Sequence, residues 1–205
     1  MGKLDGRVAF ITGAARGQGR AHAIRMAQEG ADIIGVDICD QMKSVGYRMS
    51  TRDDLDETVR RVKDLGRNMV AHVADVRDID AMRKAFADGV SQLGAVTIVV
   101  ANAGIGPGGA AKSQEQWDEV IGVNLTGVWN TGRTAIPSMV ENGDGGAIIL
   151  TSSTGGLIGS PSNVAGMLGY TAAKHGVIGL MRSWANYLAP HLIRVNSLAP
   201  TTVKT

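Results

Sequence analysis

Tyr170 and Lys174 stand four residues apart, in Tyr170-Thr-Ala-Ala-Lys174, inside a stretch with helical patterning. On a helix, positions i and i+4 share a face, so a phenol and an ammonium there can serve one site. A free phenol ionises near pH ~10 and is a poor base at neutral pH. A positive charge beside it stabilises the phenolate and makes it a usable base. The same spacing also arises by chance on helix surfaces. Upstream, Ser152-Ser153-Thr-Gly-Gly closes an apolar run. A hydroxyl there can donate to a substrate oxygen, although strand-end serines commonly serve only the turn. Asn124, in Asn124-Leu-Thr-Gly127, is a polar residue in mid-helix pattern, suited either to holding a water or to capping a kink.

A second chemistry is written near the start of the chain. Residues 8–11 are apolar and strand-forming; Gly13, Gly17 and Gly19 follow, and then a helical pattern with Ala21, Ile24, Ala27 and a terminal Gly30. A glycine turn between a buried strand and a helix start aims backbone N–H groups and the positive helix end at one point, which suits a pyrophosphate. The spacing G-x-x-x-G-x-G differs from the commoner G-x-G-x-x-G, and a glycine turn without ligand would look the same. Asp37 ends the next strand 24 residues after Gly13. An acid about 20 residues on accepts hydrogen bonds from an adenosine ribose. A carboxylate there repels a 2′-phosphate and favours NAD over NADP. Arg16 argues the other way, since it could reach such a phosphate, but Ile38 adds no positive charge. The plain alternative is an aspartate that merely ends a strand. Asp75-Val76 closes the third strand, where a side chain can accept from an adenine amino group or cap the following helix. Ala101-Asn102-Ala103-Gly104 closes the fourth, with small residues that let a ligand approach the backbone or simply turn the chain.

The elements that must position these residues alternate along the chain. Strands are expected at 7–12, 32–37, 69–74, 96–101, 146–152 and 192–198, and helices at 18–29, 53–65, 79–93, 114–140 and 169–189. Apolar strands alternating with helices predict an α/β fold, a Rossmann-type doubly wound parallel sheet in three αβα layers. No linker or repeat interrupts residues 1–205, so one dinucleotide-binding catalytic domain is expected. Segment 38–52 exceeds the usual connection length and reads as either a surface excursion or a flap over the cofactor. Trp117, Val120, Ile121, Leu125, Val128 and Trp129 give 114–140 an apolar face, for packing within the chain or between subunits.

Composition narrows the function classes. The 205 residues are 44% hydrophobic and 20% charged, ordinary for a globular protein, with a net charge of +2 that argues against nucleic-acid and anionic-membrane partners. The four histidines show no metal-ligand spacing, so no metal is expected. A single cysteine, Cys39, forms no intramolecular disulfide and suits a reducing cytoplasm. No run approaches a membrane span, no signal-peptide core precedes the first strand, and Gly6 breaks the pattern needed for myristoylation at Gly2.

Taken in order, these residues resemble the short-chain dehydrogenase/reductase family. The resemblance covers the whole chain through Thr12-Gly13-x-x-x-Gly17-x-Gly19, Asp75-Val76, Asn102-Ala103-Gly104, Asn124, Ser153, Tyr170-x-x-x-Lys174 and Arg194-Val-Asn196 leading to Pro200. GAARGQGRAH, the insert after Asp37 and YTAAKHGVIGLMRSWA resemble its carveol-dehydrogenase-like, mycofactocin-associated group. The resemblance implies hydride transfer between an alcohol or ketone and a nicotinamide cofactor. Tyr170 is then the general base, Lys174 binds the nicotinamide ribose and aids the tyrosine, Ser153 orients the substrate oxygen, and Asn124 positions a relay water. Gly13, Arg16, Gly17, Gln18, Gly19, Asp37, Asp75, Val76, Asn102, Ala103 and Gly104 would contact NAD, with Pro200, Val203 and Thr205 at its carboxamide. For the narrower group the insert implies NAD held without exchange and a mycofactocin-type redox carrier as partner. A hydrophobic alcohol of terpenoid type and a homotetramer through 114–140 and 169–189 are implied as well. Three departures stand out. Ser153 and Tyr170 are 17 residues apart, which predicts a loop over 160–168 at the substrate mouth. Ala101 and Thr201 replace the usual Asn and Gly. Relatives continue past Thr205 with a substrate loop, a helix and a seventh strand, which the sequence as read lacks.

Overall fold

Six short apolar runs pair in parallel because each of the first five is followed by a helical segment long enough to carry the chain back across the sheet. The strands are β1 (Val8–Thr12), β2 (Asp32–Asp37), β3 (Met69–Val73), β4 (Val96–Ala101), β5 (Gly146–Thr151) and β6 (Ile193–Leu198). They lie in the order β3-β2-β1-β4-β5-β6, with every pair parallel. The structure, a computed structural model, describes residues 2–106, 108 and 112–203. Strand order reverses between β1 and β4, which opens a crevice at the carboxyl ends of those two strands.

Side-chain alternation decides which helices cover which face. Ala9, Ile11, Ile33, Ile98 and Val100 pack with Leu55 and Val62 under α1 (Gly17–Gln28) and α2 (Arg52–Asp64). Val8, Phe10, Ile34, Val36 and Val99 face the other way. There they meet α3 (Ile79–Leu93), α4 (Ser113–Ile121), α5 (Gly127–Asn142) and α6 (Ala165–Leu188). Phe10 and Phe86 meet edge to face, with centroids 5.2 Å apart. This is the three-layer doubly wound sheet that the alternation predicts.

Two expected helices differ from their patterns. The stretch 114–140 is not one α-helix: α4 and α5 are joined by a π-helical turn, Gly122–Thr126, with Asn124 at its centre. Such turns insert a residue and re-aim a side chain, commonly at functional sites. Of its apolar face, Val120 and Val128 are buried, whereas Trp117 and Trp129 stay exposed. Helix α6 begins at Ala165, so the last residues of the predicted 160–168 loop form its first turn.

Helix α6 docks closely on the short 3-10 turn Thr154–Gly156 that follows β5. A Cβ at Gly156 would lie 2.6 Å from the Lys174 carbonyl oxygen and 2.4 Å from Ser152 Oγ. Neither the strand end nor the helix backbone can yield without moving the site. Gly156→Ala is therefore expected to cost about 1–3 kcal/mol of stability, measured by urea unfolding monitored by circular dichroism.

Candidate active site

The crevice between β1 and β4 contains a cavity of about 550 Å³. Gly13, Arg16, Gly17, Gln18, Asp37, Asp75, Val76, Asn102, Ala103 and Gly104 all line it. Gly13 and Gly17 take positive φ, +70° and +53°, as the turn requires. A Cβ at Gly13 would lie 2.9 Å from the Ala103 Cα, closing the gap between the two strand ends. Gly19 does not line the cavity; a Cβ there would sit 1.9 Å from the Gly13 oxygen, so this glycine lets helix α1 pack onto its own turn. Thr12 Oγ1 accepts from the Asn102 and Ala103 amides, each at 3.2 Å, and Asn102 Nδ2 donates to the Thr12 carbonyl at 3.0 Å. The Asn102 side chain thus ties β1 to β4, leaving its backbone toward the cavity.

Helix α2 carries a reciprocal Thr51–Asp54 cap, and α3 is capped by Asp78. Helix α1 has no side-chain cap and no acid in its first turn, although Gly17 and Gln18 face the cavity. An anion held by these free N–H groups fits that end. At the other end, Asp37 is only 6% exposed. Its Oδ2 accepts from the Ala15 amide at 2.9 Å, and its Oδ1 accepts from the Cys39 amide at 3.2 Å and from Ser50 Oγ. Three donors thus hold this buried carboxylate in place. It retains acceptor capacity for a ribose diol.

Arg16 lines the cavity and also holds the insert. Its guanidinium donates to the Arg48 carbonyl, clamping the insert. The expectation that it reaches a 2′-phosphate is not favoured by this contact. Asp75 accepts from the Arg77 amide at 2.9 Å and forms an ion pair with that guanidinium at 2.6 Å. The helix cap considered for Asp75 belongs instead to Asp78, whose Oδ1 accepts from Asp80 and Ala81 amides at 3.0 Å.

Beside Gly104, at the edge of the cavity, begins the set of residues expected to handle the proton. Asn124 is fully buried; its Oδ1 accepts from the Ile105 amide at 2.9 Å and its Nδ2 donates to the Ile105 carbonyl at 2.8 Å. The π turn is what aims this side chain across at the loop after β4. Lys174, 3% exposed, donates to the Thr151 carbonyl at 2.8 Å. Its Nζ lies 5.6 Å from the Tyr170 ring centre. A point 1.5 Å off Gly104, where a Cβ would stand, is 2.9 Å from Asn124 Oδ1 and 3.6 Å from Lys174 Nζ. The corresponding point at Gly155 is 3.3 Å from Tyr170 Cε1 and 3.6 Å from Ser153 Oγ. Asn124, Lys174, Tyr170 and Ser153 therefore form one chain of neighbours. Ser152 is distinguished from Ser153 by its bond: its buried Oγ donates to the Lys174 carbonyl at 2.8 Å. Ser153 Oγ accepts from the Gly155 amide at 3.1 Å, which leaves its proton for another acceptor.

The Pro200 carbonyl accepts from Thr154 N at 3.1 Å and braces the Ser153 turn, while Val203 is exposed. Thr205 lies outside the described residues. Sequence reading did not single out Met42, Tyr47, Met49 and Ser50, which line the cavity from the insert. Their signal was an apolar beat, Met42, Val45, Met49, within a segment otherwise polar. All three are buried, so the insert is a wall of the cleft and not a surface excursion.

A family model for short chain dehydrogenases matches residues 7–205. The chain belongs to the short-chain dehydrogenase family. It is 48% identical over 208 residues to the (-)-trans-carveol dehydrogenase of Rhodococcus erythropolis, covering 100% of this chain and 74% of that one. Among solved structures, carveol dehydrogenase from Mycobacterium avium in complex with NAD superposes with a TM-score of 0.94 at 50% identity, covering 100% of this chain and 74% of that one. A short chain dehydrogenase from Mycobacterium paratuberculosis bound to NAD gives 0.90 at 52% identity, covering 97% and 73%. This short-chain dehydrogenase is accordingly an alcohol/ketone oxidoreductase, with Tyr170-x-x-x-Lys174 beside the dinucleotide crevice.

Burial lowers the Lys174 ammonium from 10.5 to about 8, so it remains charged at neutral pH. Between those values the unfolded chain binds the proton more tightly, and stability from this group rises with pH. Burial and the neighbouring Asp37 push the Cys39 thiol up from 9.0 to about 12, which opposes this above pH ~9. Lys174→Met isolates the lysine. Relative to that variant, wild type should gain roughly 3 kcal/mol between about pH 7 and pH 11, measured by denaturant titration at each pH. A constant difference would show that the ammonium is not held in a desolvated site.

Proposed function

We propose that residues 1–205 act as one catalytic domain that oxidises a hydrophobic secondary alcohol, or reduces the matching ketone, with NAD. The carrying observation is that Asn124, Lys174, Tyr170 and Ser153 form one chain of neighbours beginning beside Gly104, which lines the same cavity as the Asp37 carboxylate. NAD, when bound, supplies the hydride acceptor. Tyr170 takes the alcohol proton, and Ser153 donates to the substrate oxygen and holds the reacting carbon in place. The Lys174 ammonium, fixed by the Thr151 carbonyl, favours the tyrosinate. Asn124, locked on both polar groups of Ile105, fixes the loop beside Lys174 and offers a hydrogen-bonding partner to a relay water. Gly13, Gly17, Gln18 and the uncapped end of α1 hold the pyrophosphate, Asp37 the adenosine ribose, Asp75 and Val76 the adenine, and Pro200, Val203 and Thr205 the carboxamide.

Exposed Leu157, Ile158 and Val164, following Ser153, supply an apolar mouth that suits a terpenoid-like alcohol. The carveol dehydrogenase relatives support the same class. The insert walls the cleft, which supports NAD retained through turnover and a mycofactocin-type carrier as the electron acceptor. Exposed Trp117, Trp129 and Tyr187 on α4, α5 and α6 support a homotetramer packed through those helices. Among the described residues, no helix is long and apolar enough to cross a membrane; with one unpaired cysteine this supports a cytoplasmic enzyme.

Tyr170→Phe removes one oxygen and leaves the cofactor crevice intact. Its turnover of a terpenoid secondary alcohol should fall by roughly 10²–10⁴, while NADH binding, followed by fluorescence titration, stays near the wild-type value. Unchanged turnover would remove Tyr170 from the chemistry.

A further inference from the structure

The insert between β2 and α2 is shaped by one side chain. Gln41 Nε2 donates to the carbonyls of Met42, Val45 and Tyr47 at 3.2, 3.1 and 3.2 Å, and its Oε1 accepts from the Met49 amide at 3.0 Å. This clasp makes residues 41–49 a preformed strap, since the loop's own carbonyls are satisfied from within. The strap is fastened at its base by Ser50 to Asp37, Arg16 to the Arg48 carbonyl, and Arg48 to Asp54 at 2.9 Å. Its far side reaches α4, where the Ser44 amide donates to Glu119 at 3.2 Å.

Among the described residues, Tyr47 also joins the strap to the loop after β4. The Tyr47 hydroxyl accepts from the Gly106 amide at 3.1 Å, joining residues 59 apart in sequence. Gly106 is a fixed donor, because the residue before it, Ile105, is gripped on both N–H and C=O by Asn124. Tyr47 and Ile105 both line the cavity. Tyr47 is 48% exposed, so the contact is poorly shielded and can open without disturbing the core.

We propose that Tyr47 is a positioning residue that latches the strap onto the Gly106 amide, and that opening this latch sets the rate at which a bound nicotinamide dinucleotide leaves the cleft. The inference rests on the NAD reading above and adds a residue to it. The latch ends on the loop that Asn124 holds, so strap closure and the catalytic loop share one anchor. Tyr47 touches no reacting group; it acts through where the strap lies.

The test compares wild type with Tyr47→Phe, which deletes one half-exposed oxygen. Release of NADH from the preformed complex is followed by stopped-flow fluorescence with excess NAD as the chase. Exchange of the Gly106 amide proton is followed by NMR in ligand-free protein, with the Met49 amide as an internal control. Loss of one such hydrogen bond should speed NADH release roughly two- to tenfold. It should also speed Gly106 exchange and leave Met49 protected. Faster Gly106 exchange with unchanged release would overturn the latch while leaving the NAD reading in place, as would no change in either. General loss of protection, Met49 included, would mean Tyr47 supports the loop fold and not the latch. Wild-type protein that binds no NADH once any retained cofactor has been removed would defeat both the latch and the reading beneath it.

Discussion

A carboxylate buried against the end of β2 is the constraint from which the cofactor half of the site follows. Taken out of water, the Asp37 carboxyl oxygens need donors around them. The donors it recruits come from separate stretches of chain: the Ala15 amide of the glycine turn, the Cys39 amide, and the Ser50 hydroxyl at the close of the insert. One charge thereby fixes the phosphate turn relative to the strap, and it does so at the point where a ribose would be read. Displacing it would loosen both walls of the crevice together.

Similar reasoning runs through the catalytic half. Asn124 and Lys174 are buried polar groups satisfied by backbone carbonyls and amides, not by other side chains. Backbone partners at a strand end and a loop are rigid, so the groups that face the substrate inherit that rigidity. The π turn in α4–α5 exists in service of this bond: an uninterrupted helix would point residue 124 elsewhere. Ser152, by bonding the Lys174 carbonyl, locks α6 to β5 and leaves Ser153 as the free hydroxyl.

Much of this architecture was legible in the residues. All six strands emerge within a residue or two of where apolar runs end, because buried parallel strands need continuous apolar sequence. The glycine spacing, Asp37 and Tyr170-x-x-x-Lys174 were legible because each carries chemistry that few other residue types supply. What stayed hidden depended on long-range partners. Nothing local shows that Arg16 also anchors the strap; its bond to the Arg48 carbonyl is visible only in the fold. Asp75 and Asp78 both precede a helix, and only the actual backbone shows which one caps it. The insert reads equally as a surface excursion or a flap, since three apolar residues and one glutamine do not say what they pack against; the burial of Met42, Val45 and Met49 and the Gln41 clasp appear only in the fold.

On the proposed reading, the buried Asp37 carboxylate, not Arg16, faces the adenosine ribose. Equilibrium titration of the wild-type protein with NADH and with NADPH tests it directly. A 2′-phosphate against an unreleased carboxylate costs several kcal/mol, so NADH should bind at least ~100-fold more tightly. Equal affinity, or tighter binding of NADPH, would contradict the assignment of Asp37 and return Arg16 to the cofactor.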